Sequence, residues 1–161
     1  MEFGEPVKSA DGSYIVKVTG DVKFQVTNTT LGDTTSVTSS DAKTIKDIEE
    51  SILLKAEEVS ESWFGQVVSP GRLRRSFNSS IEDSVFDCIM SKSVTYWNSK
   101  KELVTSEDVG TNVDCIVELV GVRISKKIFE PLFRIIQVKE HRQVQKPSYM
   151  FKDEPEDEDI I

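Results

Sequence analysis

Hydrophobic and polar positions change their period twice along this chain, and the changes divide it into strands, then helices, then strands again. In SYIVKVTGDVKFQVTN (13–28), Ile15, Lys17 and Thr19 share one side of an extended chain, and Val22, Phe24 and Val26 follow after TGD. A period of two broken by a turn-forming triplet predicts two short strands joined as a hairpin. The next stretch, TTLGDTTSVTSSD (29–41), is rich in Thr, Ser and Gly without a helical period, and reads as a polar loop. Beyond it Ile45, Ile48, Ile52, Ala56, Val59 and Trp63 recur every three or four positions, with Ser39, Ser40 and Asp41 available as caps and Gly65 as a stop. That spacing predicts one long amphipathic helix over about 41–64. Its other side, Lys46, Glu49, Glu50, Lys55, Glu57, Glu58 and Glu61, is expected to face water rather than to form a catalytic cluster.

SPGRLRRSFNSSI (69–81) sets Ser69 before Pro70, and Leu73 four before Phe77, which predicts a second, short helix over about 70–80. Arg72, Arg74 and Arg75 on it are expected in a solvated face or in salt bridges to the acidic helix. After Val85 the residues turn β-branched and aromatic. A strand is expected within 84–97, a turn at 98–103 and a loop at 104–112, and two more strands follow over 113–124 and 131–140. The first of these two is nearly continuous in apolar character, as a strand lying between neighbours is. The fold class expected is α+β: a small antiparallel sheet, or a partly open barrel, with the helices segregated on one side.

Composition narrows this to one domain, residues 1–151, with an acidic tail at 152–161. The chain has 161 residues, 37% hydrophobic and 30% charged, enough for a single buried core. No apolar run reaches the roughly 20 residues of a membrane-spanning helix, and MEFGEPVKSADG lacks the basic and apolar regions of a secretory signal. Six acids and one lysine give the tail −5 of the net −8, leaving the body near neutral. Cys88 and Cys115, each in an apolar run, read as small buried hydrophobes. With His141 as the one histidine, they cannot supply a four-ligand zinc site.

Catalytic constellations are not legible. GxxxxGK[ST], GxGxxG, GxSxG and HExxH do not occur, and the acids fall on a helix face and in the tail. A non-enzymatic protein without cofactor or metal is expected.

The hairpin region VRISKKIFEPLFRIIQVK (122–139) carries Arg123, Lys126, Lys127, Arg134 and Lys139 against the one acid Glu130. Arg123, Lys126, Lys127, Phe129 and Arg134 are the candidate contacts to a nucleic acid, because cations neutralise phosphates and aromatic rings stack on bases. Against that reading, Phe133 among Leu132, Ile135 and Ile136 fits a core, and Phe24, Trp63 and Phe77 stand at core-phase positions.

Trp63-Phe64-Gly65 at the end of the helix, Ile136-Gln137-Val138-Lys139 in the last strand, and Tyr149 and Phe151 before the acidic tail complete the pattern. The chain resembles a family of uncharacterised proteins from large nucleocytoplasmic double-stranded DNA viruses of algae and amoebae. SKKIFEP (125–131) departs from the aromatic, glycine-rich turn of those relatives. The resemblance implies a virion protein, made in the host cytoplasm: a minor capsid component whose partners are major and minor capsid proteins. Tail residues Asp153, Glu154, Glu156, Asp157, Glu158 and Asp159 would then meet the partner. The alternative expectation is a viral single-stranded DNA-binding protein at the replication site, with an oligonucleotide-binding type of β-barrel and the same tail as a regulatory element.

Overall fold

A computed structural model describes residues 1–141. The elements run β1 (Glu2–Lys8), β2 (Tyr14–Thr19), β3 (Lys23–Thr30), β4 (Thr35–Ser36), α1 (Ser39–Glu58), α2 (Ser60–Phe64) and α3 (Pro70–Ser76). Then follow β5 (Ile81–Glu82), β6 (Val85–Phe86), β7 (Ile89–Trp97), β8 (Leu103–Val104), a 3-10 turn at Ser106–Asp108, β9 (Asn112–Ile124) and β10 (Phe129–Glu140). The class is α+β as expected, but the sheet is not small. It joins all ten strands in the order β5-β6-β4-β3-β9-β10-β7-β8, with β2 also on β9 and β1 outside β2. It is open rather than closed, and antiparallel except where β10 and β7 run together. No described helix is long and apolar enough to cross a membrane. The tail acids Asp153, Glu154, Glu156, Asp157, Glu158 and Asp159, like the expected boundary at 151–152, lie outside the described residues.

The sheet is organised by β9 and β10, the two late apolar runs, which form the expected hairpin closed by Ser125 N donating to Ile128 O at 2.8 Å. The hairpin expected within 13–28 is not formed. β2 and β3 do not pair with each other; they follow end to end along the same edge of β9, with Val16 opposite Val122 and then Lys23 opposite Glu118. TGD therefore steps the chain sideways without reversing it, with Gly20 at φ 96° and Asp21 at φ 57° absorbing the step. A 13-residue β9 is long enough to take both partners. β2 turns back instead on β1, through a loop in which Asp11 accepts from Ser13 N at 3.0 Å and from the hydroxyls of Ser9 and Ser13. Those hydroxyls, Ser13's first, hold the Asp11 carboxyl well below the usual carboxylate range.

The long helix is interrupted. α1 starts after Thr38, one residue before the caps anticipated, with Thr38 Oγ1 accepting from Asp41 N at 3.2 Å. It breaks at Val59 (φ −122°, ψ 30°), so α2 is a separate turn that ends on Gly65 in the left-handed region, the stop foreseen. Ile45, Ile52, Ala56 and Trp63 are buried as the spacing predicts, in one core with Val117, Leu119, Phe133 and Ile135 of the sheet. Glu49 departs from expectation: it is buried instead of solvated. Its carboxylate accepts from Ser79 Oγ (2.6 Å), Ser80 N (2.7 Å) and Ser80 Oγ (2.7 Å), pinning the segment after α3 to α1. The neighbouring Glu50 does face water and forms a two-pronged pair with Arg74 at 2.7 and 3.1 Å, one of the bridges anticipated for the arginines of α3. α3 itself is capped by Ser69 and stops at Ser76, short of the expected end, because Phe77 leaves it to bridge Phe129.

Candidate nucleic-acid interface

Alternation along β9 and β10 sorts their side chains between two faces of the sheet. Val113, Cys115, Val117, Leu119, Val122 and Ile124 of β9, with Phe129, Phe133, Ile135 and Val138 of β10, are buried toward the helices. The intervening residues form an outer face whose members are exposed or half-buried. Strand register sets that face out as rungs. One runs Lys23–Glu118–Arg134–Ile89, the next Gln25–Ile116–Gln137–Thr95, and the third Asp114–Lys139–Trp97. The register slips between Ile135 and Gln137 against both neighbours of β10. This bulge keeps Gln137 and Lys139 on the outer side.

The last two rungs enclose a depression of about 410 Å³ lined by Gln25, Trp97, Lys101, Asp114, Ile116, Gln137 and Lys139. Its wall is built locally. Trp97 ends β7, where its indole N–H donates to Thr95 Oγ1 at 2.9 Å. The turn after it is closed by Asn98 N donating to Glu102 O (3.0 Å) and by Asn98 Oδ1 accepting from Lys100 N and Glu102 N. Lys101 takes a left-handed conformation there (φ 65°) and comes to the rim. Ser99 N donates to Glu140 Oε1 at 2.9 Å, which ties the turn to the end of β10 and holds the Glu140 carboxyl below its ordinary value. The one acid of the lining, Asp114, accepts through Oδ1 from Asn28 N (2.9 Å) and meets His141 Nδ1 at 2.8 Å. Lys101 and Lys139 form no ion pair among the described residues. One flat ring, two amide side chains, two ammonium groups and the Asp114 carboxylate thus surround a shallow apolar floor.

The five residues anticipated as contacts do not form one site. Phe129 is fully buried, stacked edge-on between Phe64 and Phe77 at 5.2 and 5.1 Å, and cannot meet a base. Its place in the strand puts it on the helix side, where the core takes the ring. Arg134 is on the outer face but bound by Glu118, at 2.8 Å through Nε and 2.6 Å through Nη2. Arg123 shares that face between Ile15 and Glu130, half-buried, with its Nε unpartnered among the described residues. Lys126 and Lys127 are exposed at the hairpin tip, at the other end of β9 from Trp97. The residues missed are Trp97, Lys101, Gln25 and Gln137, with Lys139, which was counted in the basic cluster without a role. One signal was available: Thr95 and Trp97 alternate with Val94 and Tyr96 directly before the lysine-bearing turn NSKKEL.

Residues 18–154 match the model of a family described as of unknown function, DUF5871. No curated protein matches the chain. Among solved structures, the single-stranded DNA-binding protein from bacteriophage Enc34 is similar over 95% of this chain and 97% of that one, at 13% identity. The TM-score is 0.44, a likeness too slight to argue from.

Proposed function

The chain belongs to the DUF5871 family of unknown function, and from its outer sheet face we propose that it is a non-enzymatic protein that binds single-stranded DNA. The observation that carries this reading is the meeting of Trp97, Lys101, Lys139, Gln25 and Gln137 in one depression on a face outside the buried core. A half-buried indole offers a stacking surface that accepts any base, and the two ammonium groups neutralise the adjacent phosphates. The amides of Gln25 and Gln137 each carry a donor and an acceptor for base edges. In the viral setting that the sequence resemblance implies, this role belongs to genome replication rather than to the capsid.

The test is a fluorescence-anisotropy titration with a labelled oligo-dT at low salt. Saturable binding is expected, and Trp97→Ala should weaken it by the loss of one stacked base, about 1–3 kcal/mol, with the far-ultraviolet dichroism unchanged. Absence of saturable binding, or a Trp97→Ala variant that binds as well as the parent, would overturn the proposal.

A further inference from the structure

A second concavity, larger than the first, lies at the tip end of the sheet and on its helix side. About 690 Å³ lies between the β1–β2 hairpin, α2, α3 and the β9–β10 turn. Tyr14 and Phe64 contribute accessible rings, with the buried Trp63, Leu73 and Phe129 packed behind them, and Arg72, Lys126 and Lys127 contribute three cations. The sole acid in the lining is Glu5, whose carboxylate already accepts from Ser62 Oγ at 2.9 Å. Two glycines of the rim, Gly12 (φ 89°) and Gly65 (φ 75°), have open space where a Cβ would stand. Tyr14 is 43% exposed and Lys126 and Lys127 are exposed, so rings and charges are reachable from water.

We propose that this cavity binds a phosphorylated nucleoside, with the base against the Tyr14–Phe64 wall and the phosphate on Arg72, Lys126 and Lys127. The volume is within the range of small-ligand sites. Two accessible rings and three exposed cations in one lining match a molecule that is flat and neutral at one end and anionic at the other. An added peptide strand fits less well. Pro6, in the wall, offers no N–H to such a strand, and Ser125 N of the turn is already bonded to Ile128 O. The site is separate from the outer-face depression and shares no residue with it.

Binding of the fluorescent probe mant-ADP, followed by anisotropy on the full chain, tests this. Saturable binding is expected, displaced by unlabelled ADP and much less well by adenosine or pyrophosphate alone. Lys126→Ala/Lys127→Ala, two exposed turn positions, should weaken it about tenfold or more through loss of charge-assisted phosphate contacts. Trp97→Ala should leave it unchanged, which separates this site from the DNA surface. Displacement by a 5′-phosphorylated oligo-dT but not by its 5′-hydroxyl form identifies the nucleoside as a strand end, and displacement by ADP alone identifies a free nucleotide. No saturable binding, full affinity in the double lysine variant, or equal loss in Trp97→Ala overturns the inference.

Discussion

Glu49 and Glu50 are adjacent acids of α1 with opposite surroundings, and the difference sets what each substitution does. Glu49 is 4% exposed and answers three donors, and Glu49→Ala leaves the buried Ser80 amide and hydroxyl unpaired, while the exposed Ser79 hydroxyl keeps Ile81 O as an acceptor. The expected loss is about 1–3 kcal/mol per unsatisfied buried group, read as a lower urea midpoint. Glu50→Ala removes a solvated pair with Arg74 and should cost less than about 1 kcal/mol in the same measurement. The phase of Glu49 was visible in the sequence, since 45, 49, 52 and 56 lie on one stripe. Its charge argued for water, and the serines that answer it come some thirty positions later, where no periodicity reports them. Of the two thiols expected to be buried, Cys115 is and Cys88 is half-buried. Burial pushes Cys88 up to about 11 and Cys115 up to about 12, from 9.0. The folded chain then holds these protons more firmly than the unfolded chain. Their contribution to stability is complete below pH 9.0 and is lost as pH climbs toward those values. Urea unfolding across that interval should show the decline, and Cys115→Val should reduce it.

At the level of elements, the sheet depends on how closely β2 approaches β9. A Cβ built on Gly121 would sit 2.5 Å from Val16 O, a backbone atom that cannot rotate aside. Gly121→Ala is therefore expected to force the two strands apart and to cost about 1–3 kcal/mol or more, as overpacking does. The loss of hydrogen-exchange protection should centre on β2 and on β1 beyond it. Helices were the more legible elements, because Ile45, Ile52 and Ala56 declare a stripe within one segment. The β2–β3 relation was not, because two alternating runs across TGD fit a hairpin as well as two consecutive partners of a third strand. The choice was made by β9, about a hundred residues downstream.

For the whole molecule, the net charge of −8 opposes phosphate, so binding has to rest on a local exception. Two ammonium groups in the outer-face depression imply about two neutralised phosphates and a salt slope near −1.4. Raising salt from about 50 to about 200 mM should then weaken oligo-dT binding about sevenfold, against far steeper losses for proteins that grip many phosphates. Lys139→Ala should flatten that slope by about half, which a titration at three salt concentrations resolves. The α+β class was readable from the order of periods, but this surface was not. Gln25, Ile116, Gln137 and Trp97 come from four strands and meet only through register. The five residues that sequence proximity brought together, by contrast, are divided among core, outer face and tip.

The end-to-end pairing of β2 and β3 along β9 also sets the order in which the molecule can assemble. Val16 meets Val122, and Lys23 meets Glu118, so both early strands wait on a partner made about a hundred residues later. At typical translation rates that is roughly 5–20 s during which β2 and β3 have left the ribosome without the edge they will join. Refolding should accordingly be slow for a chain of this size, in the millisecond-to-second range of non-local β topologies. The emerging chain would be most open to chaperone capture in that interval.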